Sequence, residues 1–170
     1  MSKEETYDEI LQEFEEESLK NKYLTFMVCR ETYGIEIRYV TEIVSMEKIT
    51  PMPEMPAHIK GIINLRGRII PVMDIRLRFG KEEKPYDDRT CIIVINYHEN
   101  LTGLIVDSVS DVLTIPGESI EVLPSAGHVN TNGFIENIGK LNGSVVLLAR
   151  CSKLIDKEML REVALTSKEV

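Results

Sequence analysis

The 170-residue chain contains no tryptophan, and aromatic residues make up only 6% of it. Neither glycine-rich phosphate-binding pattern, G-x-x-x-x-G-K-S/T or G-x-G-x-x-G, occurs in it, so the sequence gives no indication of a phosphate-binding loop. The scarcity of aromatic side chains also removes the stacking platform on which many proteins bind single-stranded nucleic acid. These absences favour a protein-binding module over an enzyme, and no nucleic-acid partner is expected.

Cysteine is scarce, and the three thiols cannot all pair. Cys29, Cys91 and Cys151 are far apart within apolar runs, which predicts small buried thiols and no disulfide framework. None of the three histidines shares a metal-ligand spacing with a cysteine or with another histidine. The sequence therefore predicts no zinc site and no cofactor.

Long apolar runs are also missing. None approaches the roughly 20 residues that a membrane-spanning helix needs. The N-terminus is acidic and lacks the basic region and apolar stretch of a secretory signal. We expect a soluble, cytoplasmic protein without direct membrane insertion.

The net charge of −8 is concentrated at the N-terminus. Residues 1–20 contain eight acidic residues and two lysines, a net charge of −6, which leaves −2 for the other 150 residues. Thr6 and Glu9 form a capping-box pattern, and Ile10 and Phe14 follow at helical spacing. Because Glu9 and Glu13 repel at i, i+4, we expect a frayed helix or a partly disordered acidic arm.

Residues 59–79 are the stretch around which the chain is organised. Two apolar runs flank the turn Asn64-Leu65-Arg66-Gly67, and Gly67 offers the positive φ of a tight reversal. Alternation after the turn predicts a strand through residue 79. One face would carry Ile69, Pro71, Met73, Ile75, Leu77 and Phe79, and the other Ile70, Val72, Asp74, Arg76 and Arg78. This hairpin would present Arg66 either to an outside carboxylate or carbonyl, or only to solvent.

The stretch before this hairpin predicts a second one. Alternating apolar residues over 23–37 are typical of two strands joined by a short polar turn. Ile37, Val40 and Val44 then fall at helical spacing, which predicts one or two helical turns over residues 38–44 with Glu42 off the apolar stripe.

Polar residues 80–89 separate this part from a second run of short strands, at residues 91–95, 102–105, 106–115, 118–123, 134–138 and 144–149. The step from Val109 to Val112 breaks strict alternation and predicts a β-bulge. Residues 152–163 have the stripe of an amphipathic helix. Many short strands with short helical pieces favour small β-barrels.

Two features leave other functions open. Asp107 and Asp111 are a candidate carboxylate pair for acid/base chemistry, although no recognised motif ties a nucleophile to them. Residues 60–84 hold seven basic residues against three acidic ones, a patch that would suit an acidic protein surface or, in a small-barrel nucleic-acid binder, a phosphate backbone. The alternative for both features is a solvated surface.

Several segments, in this order, carry a resemblance to a known family. They are YLTFMV, YGIEIRYVTEI, PAHIKGIINLRGRIIPVMDIR, IIVINY, GLIVDSVSDVL and VVLLARCSKLI. The chain resembles the chemotaxis coupling proteins, or CheW-like domains, from about residue 23 to residue 160. The resemblance implies a mainly β fold of two interlocked five-stranded SH3-like barrels with short helical turns and a C-terminal helix.

In this interpretation, residues 1–20 are an acidic arm and residues 21–170 are the CheW-like domain. The first barrel is expected mainly within residues 21–80, the second mainly within 88–151, and the C-terminal helix at about 152–163.

The resemblance also implies a function. The protein would be a non-catalytic scaffold that couples methyl-accepting chemoreceptors to the regulatory domain of the chemotaxis histidine kinase, recruited to the membrane through receptor complexes. The residues expected to face the cytoplasmic hairpin tip of the receptor are Val40, Glu42, Asn64, Leu65, Arg66 and Gly67. Those expected to face the kinase are Ile70, Val72, Asp74, Val112, Leu113 and Ile120. An adaptor for a different receptor or kinase pathway is the alternative within the same class.

Overall fold

In the computed structural model, residues 3–123 and 133–155 are described, and β-strands are their main regular structure. The helices of these ranges are α1 (Lys3–Leu19), α2 (Ile75–Arg78) and α3 (Cys151–Leu154). The strands are β1 (Lys22–Val28), β2 (Glu31–Glu36), β3 (Val40–Ser45), β4 (Ile59–Leu65), β5 (Arg68–Asp74), β6 (Cys91–Tyr97), β7 (Asn100–Val106), β8 (Ser108–Thr114), β9 (Ile120–Val122), β10 (Ile135–Leu141) and β11 (Ser144–Ala149). The predicted mainly β fold is confirmed.

The strands form a six-stranded sheet in the order β8-β1-β2-β11-β10-β9 and a five-stranded sheet in the order β3-β6-β7-β5-β4. Neighbours are antiparallel except for β2 with β11 and β5 with β7. The chain begins in the six-stranded sheet, builds the whole five-stranded sheet, and returns. The two sheets are therefore interleaved along the chain, because β1 and β2 belong with β8–β11 and β6 and β7 belong with β3–β5.

The apolar core has three parts. The largest cluster draws buried side chains from both sheets, including Phe26 and Tyr33 from one and Met73 from the other. Smaller clusters lie within the five-stranded sheet and within the six-stranded sheet. Phe79 and Phe134 continue a row of ring contacts from Phe26 through Tyr33, with successive centroids 4.9 to 5.9 Å apart. Burial of the large cluster therefore holds the two sheets together.

The predicted β-bulge is confirmed on β8. Leu24 pairs with Val112 and Phe26 pairs with Val109, so one residue of β1 lies opposite two of β8. Thr25 fills the gap, since its buried hydroxyl donates to the Asp111 carbonyl at 2.8 Å and accepts from the Asp111 amide at 3.1 Å. The bulge keeps its backbone polar groups paired in this way.

Two local predictions need correction. Residues 38–44 are helical only at their start, because the 3₁₀ turn Ile37–Tyr39 ends where β3 begins at Val40. The strand after Gly67 ends at Asp74 and does not reach residue 79, since the Asp74 carboxylate accepts from the Leu77 amide and starts α2. In the N-terminal arm, Lys3–Leu19 form the helix α1. Of the predicted C-terminal helix, α3 covers the start, and residues 156–163 lie outside the described residues.

Gly61 allows the segment after β3 to approach β4. Thr50 and Ile62 exchange backbone hydrogen bonds of 2.8 and 2.9 Å, and Gly61 has φ +143° beside them. A Cβ atom at position 61 would overlap the Thr50 carbonyl. Only glycine fits this φ and this contact at little cost.

We predict that Gly61→Ala lowers the free energy of unfolding by about 2–4 kcal/mol, through backbone strain and loss of the Thr50 bridge. Urea denaturation would measure the loss. Gly117→Ala is the control, because a Cβ there meets nothing within 4 Å. Equal stability of the two variants would contradict the assigned role of Gly61.

Candidate functional site

The turn between β4 and β5 forms an exposed tip, defined here as residues 64–67. Leu65 pairs with Arg68, which leaves Arg66 and Gly67 as a two-residue turn with φ of 53° and 84°. These angles are those of a type I′ turn, which suits the twist of a hairpin. The Asn64 side chain accepts from the Gly67 amide at 2.9 Å and stabilises the turn. The sequence prediction of a hairpin displaying Asn64 and Arg66 is confirmed.

An ion pair joins this tip to the opposite edge of the same sheet. The Arg66 guanidinium donates to the Glu42 carboxylate of β3, and β3 and β4 are the two outer strands of the five-stranded sheet. This hydrogen bond raises the pKa of Arg66 above its ordinary value. The Arg66 side chain is nevertheless 71% exposed. Its further N–H donors therefore face solvent and could meet an outside group.

The apolar members of the predicted receptor-facing set divide into two kinds. Val40 is half-buried and packs against the core that joins the sheets, and Val40 and Glu42 lie on the same half-buried face of β3. Leu65 is only 9% exposed and belongs to the core of the five-stranded sheet. Leu65 therefore packs beneath the tip and offers a partner little surface, although the resemblance places it among the receptor-facing residues.

The predicted kinase-facing residues also divide. Ile70, Val72 and Asp74 are each at most 2% exposed, so their side chains lie in the core and present no surface to a partner. The expectation that these three residues face the kinase is therefore corrected. They are buried because both faces of β5 are largely apolar. Val112 is 48% exposed on β8, an outer strand of its sheet. Leu113 and Ile120 are half-buried and pack against the core of the same sheet.

The carboxylates of Asp107 and Asp111 each accept hydrogen bonds from other groups. The Asp107 carboxylate accepts from Arg76 at 2.7 and 2.6 Å and from the Cys29 amide at 3.0 Å. The Asp111 carboxylate accepts from the amide of Val112, its own neighbour. Among the residues that the structure describes, no group of three or more His, Cys, Asp or Glu side chains could hold a metal ion.

Arg76 and Asp107 form an ionic clasp that sequence analysis missed. Burial alone would raise the pKa of Asp107, but Arg76 and the Cys29 amide hold it below its ordinary value. The clasp joins α2, the β7–β8 junction and the β1–β2 turn. Thirty-one positions separate its two members, so no local pattern could have indicated it.

We predict that Asp107→Asn lowers the free energy of unfolding at pH 7 by about 2 kcal/mol, because it leaves the mostly buried Arg76 without its counter-charge. A lowered pKa means that the carboxylate stabilises the fold fully above the ordinary value of about 3.9 and loses this effect as the pH falls through the folded value. The difference in the free energy of unfolding between the wild type and Asp107→Asn should therefore become smaller as the pH falls. Urea denaturation across pH would show it, with exposed Asp88→Asn as the control. If the difference in the free energy of unfolding stayed constant down to acid pH, the stabilising role assigned to the Arg76–Asp107 ion pair would be wrong.

The residues that could contact a partner thus come from two places: the ion-paired tip with Glu42 and Val40, and the exposed outer strand β8. No described helix is long and apolar enough to cross a membrane. Fold and site together define a small protein of two sheets with an exposed hairpin tip as its candidate contact element.

Comparison with known proteins agrees with this class. The family model described as "CheW-like domain" matches residues 22–159. The chain is 34% identical to the chemotaxis protein CheW of Klebsiella aerogenes over 84% of its own length and 86% of the relative. It is 35% identical to the chemotaxis protein CheW of Bacillus subtilis over 81% of its own length and 88% of that relative. A solved structure, the scaffolding protein TtCheW of Thermoanaerobacter tengcongensis, superposes with a TM-score of 0.74 at 37% identity and covers 80% of this chain and 92% of its own. The chain belongs to the CheW-like family.

Proposed function

We propose that the protein is a non-catalytic scaffold that couples methyl-accepting chemoreceptors to the regulatory domain of the chemotaxis histidine kinase. Family membership and the printed names of its relatives, chemotaxis proteins and a scaffolding protein, support this function. The observation that carries the assignment of the site is the ion pair between Glu42 and Arg66 at an exposed hairpin tip. The protein would work in the cytoplasm, held at the membrane by its receptor complexes.

The tip has the chemistry to receive a helical hairpin. The type I′ turn fixes the backbone of Arg66, and Glu42 holds its guanidinium. Little conformational entropy is therefore lost when a partner binds. Its remaining donors can meet carboxylates or the carbonyl groups that end helices. Half-buried Val40 supplies apolar contact area beside Glu42. We assign receptor contact to Val40, Glu42, Asn64, Arg66 and Gly67, with Leu65 as the support below them.

We predict that Arg66→Ala weakens binding to a receptor cytoplasmic hairpin at least about tenfold, because a preorganised charged contact is lost. Binding to the kinase regulatory domain should stay within about twofold, since Arg66 belongs to the five-stranded sheet and β8 to the other. Calorimetric titration with each partner separately measures both effects.

Arg89→Ala is the matched control for this test, because Arg89 is an exposed arginine outside the tip. Unchanged affinity of Arg66→Ala for the receptor hairpin would overturn the assignment of the tip. Equal losses for both partners would indicate a general change of the fold instead, and circular dichroism would reveal it.

Kinase contact is assigned to the surface around Val112, Leu113 and Ile120. Val112 is exposed on an outer strand, and Leu113 and Ile120 anchor the neighbouring segments in the core. An exposed apolar side chain on an outer strand is typical of a surface that pairs with another protein.

We predict that Val112→Asp weakens binding to the kinase regulatory domain about tenfold or more, because a charge would be buried in an apolar contact. Val145→Asp is the control, since Val145 is similarly exposed on β11 of the same sheet. Surface plasmon resonance with immobilised regulatory domain measures both variants. Equal affinities of Val112→Asp and Val145→Asp for the regulatory domain would contradict the assignment of kinase contact to this surface.

The ion pairs of residues 60–84 argue against the alternative that the protein binds nucleic acid. Of the seven basic residues within 60–84, four are held in ion pairs, which are Lys60 with Glu83, Arg66 with Glu42, Arg76 with Asp107, and Lys84 with Asp87. Paired cations release few counterions on binding a phosphate backbone. An adaptor for another receptor or kinase pathway remains the alternative, and co-purification from the source cell with a chemoreceptor and its kinase would distinguish the two.

A further inference from the structure

Three rings form an aromatic patch, defined here as Tyr39, Tyr97 and His98. The ring centroids of Tyr39 and Tyr97 lie 5.4 Å apart, and those of Tyr97 and His98 lie 4.3 Å apart in a nearly perpendicular arrangement. Both tyrosines are half-buried, whereas His98 is exposed. The core therefore holds the tyrosine rings in place and leaves part of the patch at the surface.

The register of β3 and β6 places the patch beside Val40, which is assigned to the receptor contact. Val40 pairs with Ile95, and Tyr97 lies on the same face of β6 as Ile95, because side chains alternate along a strand. Tyr39 directly precedes Val40 in the chain. Val40 and both tyrosines also pack against the same core cluster, the one that joins the two sheets. The patch and Val40 therefore form one continuous surface.

The turn between β6 and β7 lies at the same end of the five-stranded sheet as the tip. The parallel neighbours β5 and β7 begin directly after these two turns, at Arg68 and at Asn100. The residues of the β6–β7 turn, His98 and Glu99, have φ of 48° and 65°, which is costly for most residues other than glycine. Backbone strain of this kind points to a use for the side chains at the turn.

The receptor contact as assigned above has little apolar area. Leu65 lies in the core, so Val40 is the one apolar side chain of the set that reaches the surface. Charged contacts at the wet rim of an interface add little affinity, whereas a few large side chains, with tyrosine and arginine prominent, carry most of it. The tyrosines beside Val40 have the size and the position to supply this missing contact.

Arg38 adds a cation to the edge of the patch. Its guanidinium lies 4.7 Å from the centroid of the Tyr39 ring and pairs with the Glu36 carboxylate at 2.5 Å. The side chain nevertheless stays 56% exposed. Arg38 is therefore held in position and still presents donors to a partner.

We propose that the aromatic patch is a second part of the receptor contact and sets its affinity. The patch binds aliphatic side chains of the receptor hairpin, while Arg66 at the tip meets polar groups of the same hairpin. The tyrosine hydroxyl groups stay at the wet edge of the contact, where Arg38 adds its charge. This inference rests on the proposed function, because it takes the receptor hairpin as the partner.

The first test removes one ring and keeps the packing. Tyr97→Leu leaves an apolar side chain against the core, and we expect it to weaken binding to the cytoplasmic hairpin of a chemoreceptor about tenfold, measured by calorimetric titration. Tyr23→Leu is the matched control, because Tyr23 is a half-buried tyrosine of the six-stranded sheet and should leave this affinity unchanged. Unchanged affinity of Tyr97→Leu, or equal losses for both variants, would overturn the proposal.

The second test separates a binding role from a structural one. The double variant His98→Asn/Glu99→Gly gives the turn the residues that its conformation favours. Its thermal unfolding temperature should rise because strain is relieved, whereas its affinity for the receptor hairpin should fall several-fold because the His98 ring is lost. A purely structural turn would not lower the affinity of a more stable variant. Unchanged affinity would therefore contradict the role of the patch.

Arg66→Ala, titrated beside Tyr97→Leu, distinguishes this inference from the proposed function. If Arg66→Ala weakens binding and Tyr97→Leu does not, the tip binds the receptor without the patch, and only the present inference is wrong. If Tyr97→Leu weakens binding and Arg66→Ala does not, the patch is supported and the assignment of the tip is wrong. A wild-type chain that does not bind the receptor hairpin would overturn both.

Discussion

The contact between Arg76 and Asp107 lies where the two sheets meet, and the rest of the structure depends on the crossing that it holds. Arg76 lies in α2, directly after β5 of the five-stranded sheet, and Asp107 lies between β7 of that sheet and β8 of the other. The Asp107 backbone amide donates to the Met27 carbonyl at 3.0 Å, and its carboxylate accepts from the Cys29 amide. Cys29 and Arg30 form a turn with φ of 52° and 67°, which is costly for residues other than glycine. The clasp therefore stabilises a strained turn as well as the junction of the sheets.

The strands that carry Glu42 and Arg66 explain why this exposed ion pair can serve as a binding element. Exposed charge pairs contribute little to folding, because water and salt screen them. The positions of Glu42 and Arg66 are therefore set by the strands that carry them. β3 and β4 are held by the buried core of their sheet and by the Thr50 bridge that Gly61 permits. A rigid scaffold below an exposed charge preorganises it for a partner.

Local patterns predicted the hairpins and the bulge because each is encoded in adjacent residues. They were wrong at β3 because a spacing of four, as between Val40 and Val44, fits both the helical period and the strand period. They were wrong after Asp74 because Ile75 and Phe79 also fit both periods, and the capping carboxylate decided for the helix.

Other features depend on contacts between distant residues. The resemblance implied that Ile70 and Val72 face the kinase, and alternation could not correct this, because it does not tell which face of an almost wholly apolar β5 is buried. The sequence left Arg66 facing either an outside group or solvent, because its partner Glu42 is 24 positions away. The patterns indicated a chain of short strands, and the resemblance to a known family supplied the arrangement in two interlocked units.

The ion pair at the tip limits how an acidic partner can bind there. Glu42 already neutralises part of the Arg66 charge, so an incoming carboxylate must bind the outward donors without displacing it, or must replace it. Binding in the first way adds a charge-assisted contact, whereas replacement leaves half-buried Glu42 without its counter-charge and opens the link between the outer strands. The first way is therefore favoured for any acidic partner. Selectivity between acidic partners must come from the apolar side chains beside the tip, since their carboxylates all present the same charge.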